Sequence, residues 1–553
     1  MAVEIDNAVY TLDLQSPSTI LYGGRAPIAL HNYRYVKINK SNFRTTPEEF
    51  YRSPELEDTV NEFFNRTWNK KHIASFPQVY KPLPVIKRIP TQLHRDGEIP
   101  TVHLIAKQED VDNMHDKYNK AIDINANMSY VSLNDSLFYE NVELSIAGRT
   151  SRWYNKVSYK IKLKKSDTIY GFRRIKLRAM ANDPSYLREQ IAYDMLKSLG
   201  LPASEFSYCR VFLNNIEIGL FGLIEPFHDP WTANEFSDGD EDYTSGNLYQ
   251  GNGHSPTKLY SDLGYMRNLT AYADGQYLMK AGDEGNFRPL QKFTKFIKKA
   301  PVCDEDAVDI WNSRLDMDTF LRSMVLEVLN AYFDGYIARA HNYYLYQNPD
   351  TGSFIYISAD LDATIGHSIS SLKPMMSGNY STFPGIHERP LIAKVLQVEK
   401  FRNQFNDMIL HVTKKLVNPE ATNERIDGLV DMITEDVNWD HTAPRMGSLV
   451  RKILGLFNVE SEDGRVPGDL NLIPMIQKTI ASKSAEIQEF TSRIPKNPGD
   501  QLRVIDSIII VLQGMPFLKA VNGPTGHDSC MGIKEFIRIM SQNVRKFYEY
   551  TNR

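Results

Sequence analysis

The chain is poor in cysteine: Cys209, Cys303 and Cys530 lie far apart among 553 residues and never form a CxxC pair. That excludes a disulfide scaffold and a zinc site built from cysteines, and an odd number leaves at least one thiol free. Long apolar runs are missing too. The longest, Ile508–Leu512, is far shorter than the roughly 18 residues of a membrane span. The opening MAVEIDNAVYTLDL carries acids where a signal peptide needs a basic start, and no apolar tail closes the chain. Neither an export signal nor a lipid anchor is therefore expected. Charge of one sign is lacking as well: 64 Lys and Arg against 68 Asp and Glu give a net charge of −4. No global attraction to nucleic acid or to an anionic membrane follows from that balance. Three common signatures are absent, namely the GxxxxGK(S/T) phosphate loop, the HExxH zinc motif and the GxSxG nucleophile elbow.

Composition is otherwise that of a globular protein, with 42% hydrophobic and 24% charged residues. Residues 1–100 read as an irregular extension or cap, with a Pro-rich stretch from Phe76 to Gln92 that favours extended backbone. Over 101–230 short alternating runs (VHLIA, VELSIAG, SYKIKL, RRIKLRA) predict strands. One helix interrupts them, capped by Asp183 with Pro184 at its first position and stopped at Gly200, its apolar face marked by Leu187, Ile191, Met195 and Leu199. The run RVFLNNIEIGLFGLIE predicts a hairpin turning at Asn214-Asn215. Residues 231–553 read as mostly helical around a single strand pair, NYYLYQNPDTGSFIYIS, and LIPMIQKTIASKSAEIQEFTSRI continues the helical pattern. The order of elements is that of an α+β, two-lobed protein rather than a βαβ succession.

The chemistry concentrates between Asp334 and Gly366. A turn at Asn348–Gly352 would pair Gln347 with Ser353, Tyr346 with Phe354, Tyr344 with Tyr356 and Asn342 with Ser358. Residues two apart share a face of a strand, so Asn342 would point the same way as Asp360, with Asp362 further out. Two carboxylates and an amide oxygen are hard ligands suited to Mg²⁺ or Mn²⁺. An acidic turn closing a hairpin is the plain alternative. Asp334 follows a long apolar helix, where the helix dipole disfavours a carboxylate unless a cation or a cap compensates.

These residues resemble the spore coat protein H (CotH) kinase family of atypical protein kinases. The matching pieces are Asp334-Gly335-Tyr336, His341-Asn342-Tyr343-Tyr344-Leu345-Tyr346 and Asp360-Leu361-Asp362-Ala363-Thr364-Ile365-Gly366. Upstream, VELSIAGRTSRWYNKVSYKIKL, KLRAMANDPSYLREQIAYDMLKSLGLPA and RVFLNNIEIGLFGLIE are similar to further family blocks, and EDVNWDHTAPR resembles a segment of fungal members. Two departures stand out: Lys156 is followed by Val157 where a basic doublet is frequent, and Ala359 stands where bacterial relatives often carry Trp.

The resemblance implies an atypical protein-kinase-like two-lobed fold: a β-rich, nucleotide-binding N-lobe over 101–230 and a mostly helical C-lobe over 231–553. It implies transfer of the ATP γ-phosphoryl to Ser or Thr of a partner protein, with Asp334 as catalytic carboxylate. Asn342 with Asp362, and Asp360 as the other acid, would hold Mg²⁺; which acid is the metal ligand stays open. For the phosphates Lys160 is the first choice, Lys176 or Arg178 the alternative, with Glu189 as helix partner. Gly148, Arg149, Ser151 and Arg152 would cover phosphates from the turn before the strand, and Glu225 would begin a nucleotide-contacting linker. Family precedent places such proteins on spores or cell surfaces. A non-catalytic adhesin, invasin or structural coat protein of the same fold is the alternative, cued by the 11% aromatic content.

Overall fold

The computed structural model describes residues 1–447 and 498–551, apart from residues 18, 40, 149, 254–259 and 528. The helix expected over LIPMIQKTIASKSAEIQEFTSRI lies outside the described residues.

The alternating strands close on themselves. Seven of them, in the order Tyr159–Lys162, Arg174–Arg178, Ile216–Ile224, Phe206–Leu213, Thr101–Ala106, Asp123–Val131 and Ser136–Ile146, form a closed barrel. All neighbours pair antiparallel except Phe206–Leu213 with Thr101–Ala106, which run parallel. Every second side chain points inward, so Val102, Leu104, Met128, Leu144, Ile161, Leu177, Val211 and Phe221 share one core. Closure removes the exposed sheet edges that an open sheet would leave. The hairpin of 206–224 turns at Asn214 and Asn215, both with positive φ (49° and 65°), as two-residue hairpins require.

The architecture is mixed α/β around this barrel. The helix expected from Pro184 begins later, at Arg188, and runs to Ser198. Asp183 instead accepts the Ser185 and Arg188 N–H groups and pairs with the Arg188 guanidinium, so it caps a tight turn that precedes the helix. The predicted face is right: Leu187, Ile191, Met195 and Leu199 are all buried.

Residues expected to be irregular at the amino end form a four-stranded sheet, in the order Ala8–Thr11, Ala2–Ile5, Tyr33–Ile38, Thr45–Pro47. Its first hairpin turns at Asp6-Asn7, both at positive φ, over a small core of Val3, Ile5, Ala29 and Tyr33.

The later strand pair, Tyr343–Gln347 with Phe354–Ser358, belongs to a larger sheet with Leu248–Gly251 and Tyr277–Ala281. Its register differs by one residue from the expected pairing: Gln347 faces Phe354, Leu345 faces Tyr356 and Tyr343 faces Ser358. Asn348 N–H donates to the Ser353 carbonyl and Gly352, at φ 71°, takes the left-handed position, so the loop holds one residue more than expected. Both faces of the pair are buried. Tyr344, Tyr346, Ile355 and Ile357 pack into the barrel's core, whereas Tyr343, Leu345, Phe354 and Tyr356 pack into the larger helical core. The hairpin is thus a wall between two hydrophobic interiors, which is why its strands are aromatic and aliphatic except at Gln347 and Ser358.

Candidate active site

The helix Met317–Leu329, capped at its start by Asp316 accepting from the Thr319 N–H at 2.9 Å, delivers the chain to Asp334 through Ala331 at φ 47°. Asp334 is partly exposed. Asn342 Nδ2 donates to its Oδ2 at 2.8 Å and to its carbonyl at 3.1 Å, and His341 Nδ1 stands 3.7 Å from Oδ1. Asn342 sits just before the strand at φ 54°, so strand alternation ends there and its side chain turns to Asp334 rather than lying beside Asp360. Its carbonyl still accepts the Ala359 N–H, 3.0 Å away, which keeps the two strand ends together.

Asp360, also left-handed at φ 57°, swings the chain away from the sheet. Tyr332 Oη donates to the carbonyls of Ala359 (2.6 Å) and Asp360 (2.9 Å), joining this turn to the Asp334 segment. Asp360 and Asp362 meet a cation from the barrel. Arg178 reaches Asp360 Oδ1 at 2.8 Å through one terminal nitrogen and Asp362 Oδ2 at 3.2 Å through the other, while its Nε donates to Glu189 Oε2 at 2.7 Å. Lys176, two residues back on the same strand face, lies 3.7 Å from Asp360, and Asn182 Nδ2 donates to Asp362 at 2.8 Å.

Burial pushes the Glu189 carboxyl up to about 7 despite Arg178, and raises Asp362 with help from the neighbouring Asp360. Burial and the adjacent Arg178 lower the Lys176 ammonium. Burial also opposes the Arg178 charge, but Asp360, Glu189 and Asp362 together hold the guanidinium firmly protonated.

Lys160, the first choice from sequence, is exposed and lies directly across from Lys176 on the neighbouring strand. Glu189, its expected helix partner, is taken by Arg178. A strand base paired with a helix glutamate is present, and the base is Arg178. Ser151 lines a small cavity of about 20 Å³ together with Tyr154, Asn182, Arg178, Glu189 and Asp362, so it does reach the cluster. Arg149 lies outside the described residues. Arg152 donates to the carbonyls of Ile146, Tyr118 and Lys120 and is held as a structural clasp. Glu225 is 1% exposed, with Arg88 on Oε1 and His94 Nε2 2.9 Å from Oε2. Burial opposes its charge, but Arg88 and His94 hold it at about 2. Glu225 is a buried counter-ion, both its oxygens engaged by side chains inside the protein.

Among the described residues, no group of three or more His, Cys, Asp or Glu side chains is arranged to hold a metal ion. The donors that fit Mg²⁺ or Mn²⁺ are two carboxylates and an amide. Asp360 and Asp362 already share a cation, the Arg178 guanidinium, and Asn342 spends its Nδ2 on Asp334, so a metal there would be offered Asn342 Oδ1.

Sequence reasoning overlooked Asn182, His341 and Tyr332, which orient the three aspartates. Each lies inside or beside a block that matches the family, and that proximity was the available signal.

Residues 144–446 match the family described as CotH kinase protein, more than half of the chain, and the protein belongs to that family. Among similar proteins, Invasin CotH3 of Rhizopus delemar is 25% identical over 451 residues, which covers 80% of this chain and 73% of the relative. Spore coat protein homolog 1 of Rhizopus delemar is 21% identical over 448 residues, 80% of this chain and 70% of the relative. Inner spore coat protein H of Bacillus subtilis is 25% identical over 309 residues, 54% of this chain and 78% of the relative.

Proposed function

We propose that this protein is an ATP-dependent kinase that phosphorylates Ser or Thr of a partner protein. The observation that carries the reading is Arg178, which joins a barrel strand, the Glu189 helix and the Asp360–Asp362 turn at one point. Phosphoryl transfer needs positioning and charge neutralisation more than covalent chemistry, and a base–acid pair beside metal-binding acids supplies both. In this reading Asp334 accepts the proton of the attacking hydroxyl, oriented by Asn342 and His341. Arg178 and Lys176 receive phosphate oxygens, and Ser151 lies on the edge of the same site. Asn342 and Asp362, with Asp360, would hold Mg²⁺, which when bound neutralises triphosphate charge.

The test is transfer of labelled γ-phosphate from Mg²⁺–ATP to a Ser-rich acceptor, alongside a thermal shift with nucleotide. Asp334→Asn and Asp362→Asn should each lower transfer by at least about 10²-fold, the scale of a general base or an oriented electrostatic group. Folded variants with full activity would overturn the assignment. A second reading, surface adhesion without catalysis, draws on the name invasin carried by Rhizopus delemar relatives. Absence of any shift at millimolar Mg²⁺–ATP would favour it.

A further inference from the structure

Behind Asp334 lies an acid that the proposed chemistry does not use. Glu327, on the last turns of the helix that leads to Asp334, is 4% exposed. Its Oε1 accepts the Ile337 N–H, and its Oε2 has no hydrogen-bond partner among the described residues. Its backbone carbonyl accepts the Tyr332 N–H at 2.9 Å. The two contacts bracket Asp334 on both sides in sequence. Gly335 fits between them because it lacks a side chain: a Cβ there would lie 2.5 Å from Glu327 Oε1 and 2.6 Å from the Tyr332 ring.

The same short segment is held from its other end. Arg389 Nε donates to the Ile337 carbonyl at 3.0 Å, and a terminal nitrogen donates to the Ala338 carbonyl at 2.8 Å. Tyr336 Oη accepts the Leu391 N–H at 3.2 Å. Residues 336–339 are thus fixed by a carboxyl oxygen at their N–H end and a guanidinium at their carbonyl end. Asp334, Gly335, His341 and Asn342 flank them.

We infer that Glu327 is a positioning residue for Asp334: through the Ile337 N–H and a side-chain-free Gly335 it sets the turn that aims Asp334 and Asn342. The inference rests on the kinase reading. Glu327 lies in the apolar interior beside Tyr356 and Tyr332, where burial disfavours a carboxylate. Its retention has a cost that a hydrophobic residue of the same volume would avoid.

Two variants separate positioning from plain structure. Glu327→Gln keeps an acceptor oxygen, whereas Glu327→Met fills the space and removes it. Glu327→Met should keep or raise the melting temperature, lower kcat by about 10- to 100-fold and leave the KM for ATP unchanged, as expected when a catalytic group is displaced by about 1 Å. Glu327→Gln should restore kcat to within about threefold. Hydrogen exchange of the Ile337 amide should quicken in Glu327→Met and stay slow in Glu327→Gln. Equal exchange in the two variants, an unchanged kcat in Glu327→Met, or losses in both that track a fall in melting temperature would each overturn the inference. A wild-type protein that transfers no phosphate would instead overturn the kinase reading, with the exchange comparison still deciding whether Glu327 holds the turn.

Discussion

Arg178 and Glu189 meet at 2.7 Å, one on the last position of a barrel strand and the other in the first turn of the following helix. The contact is nearly dry: their side chains are 9% and 5% exposed. Arginine suits this place better than lysine because its planar fork can serve three carboxylates at once, and here it does.

Removing that fork should be costly in two ways. Arg178→Ala leaves Glu189, Asp360 and Asp362 facing one another without their cation, a loss of about 3–5 kcal/mol for a broken buried pair. Part of the loss should be recovered as pH falls toward 7. Burial raises the Glu189 carboxyl and Arg178 holds it down, so without Arg178 it takes up its proton at a higher pH than in the wild type. Below about 7 the two proteins should show no further difference from this group. Arg178→Lys keeps the charge but offers one point of contact, so it should hold most of the stability. It should lose most of the Mg²⁺–ATP thermal shift. Differential scanning fluorimetry with and without nucleotide reads both effects, and an undiminished shift in Arg178→Lys would remove Arg178 from phosphate binding.

The parts of this site that were legible in the sequence are the local ones. Asp334 and Asn342, eight residues apart, both stood out, although Asn342 was expected beside Asp360 and instead donates to Asp334. The Asn214-Asn215 hairpin and the Leu187–Leu199 helix face were equally legible, because each depends on neighbours in sequence. Non-local pairing was not. The strands Leu248–Gly251 and Tyr277–Ala281 are short, and Leu248–Gly251 pairs both with Tyr277–Ala281 and with the distant Tyr343–Gln347. Choosing among Lys160, Lys176 and Arg178 required knowing which strand residue the Glu189 helix approaches. The register slip at Gly352 shows how one residue in a loop changes every pair in a hairpin. Asn342 nevertheless reaches the site, because left-handed turns at 342 and 360 replace the alternation on which the sequence argument relied.

A second buried cluster, whose Lys156 and Tyr186 line the same small cavity as Arg178 and Asp362, predicts a stability effect of its own. Asp440, at the end of the helix Pro419–Asp440, accepts from Lys156 (2.6 Å), Tyr186 Oη (2.7 Å), the Leu220 N–H (2.8 Å) and Arg445 (3.0 Å). Burial alone would raise its carboxyl, but Lys156 and Arg445 hold it well below the usual range. An acid whose folded value lies under its unfolded one adds stability above the unfolded value and loses it as pH falls through the folded one. Asp440→Asn should therefore cost about 3–5 kcal/mol at pH 7 and progressively less in strong acid. Urea denaturation at pH 7 and near pH 3 checks this, and an equal cost at both would show that charge is not what anchors the helix.

The three thiols should differ sharply toward a thiol reagent. Cys209 is enclosed in the barrel and Cys530 is also buried, with burial raising both thiols, whereas Cys303 is exposed. A buried, protonated thiol is a poor nucleophile. Titration with a colorimetric disulfide reagent should give one rapid equivalent in the folded protein and three in denaturant. Two rapid equivalents under native conditions would mean that the barrel or the Cys530 turn opens readily.

Glu327 should leave a mark on the pH dependence of stability, independent of any activity. Its carboxyl is raised from 4.5 to about 8, with burial as the cause and the Ile337 N–H and Arg389 opposing. The phenols of Tyr332 and Tyr356 also interact with it. Between these two values the folded chain keeps a proton that the unfolded chain has released. Stability must then fall as pH rises from 4.5 to 8, and this contribution becomes flat above the folded value. Glu327→Gln carries no such proton. The stability of Glu327→Gln relative to wild type should therefore rise across that window, with the steepest change between pH 5 and 7.5 and little beyond pH 8. Paired urea titrations at half-unit pH steps measure the difference. A constant difference over the whole range would mean that Glu327 stays ionised in the fold, bound by a cation that neither Arg389 nor the Ile337 N–H accounts for.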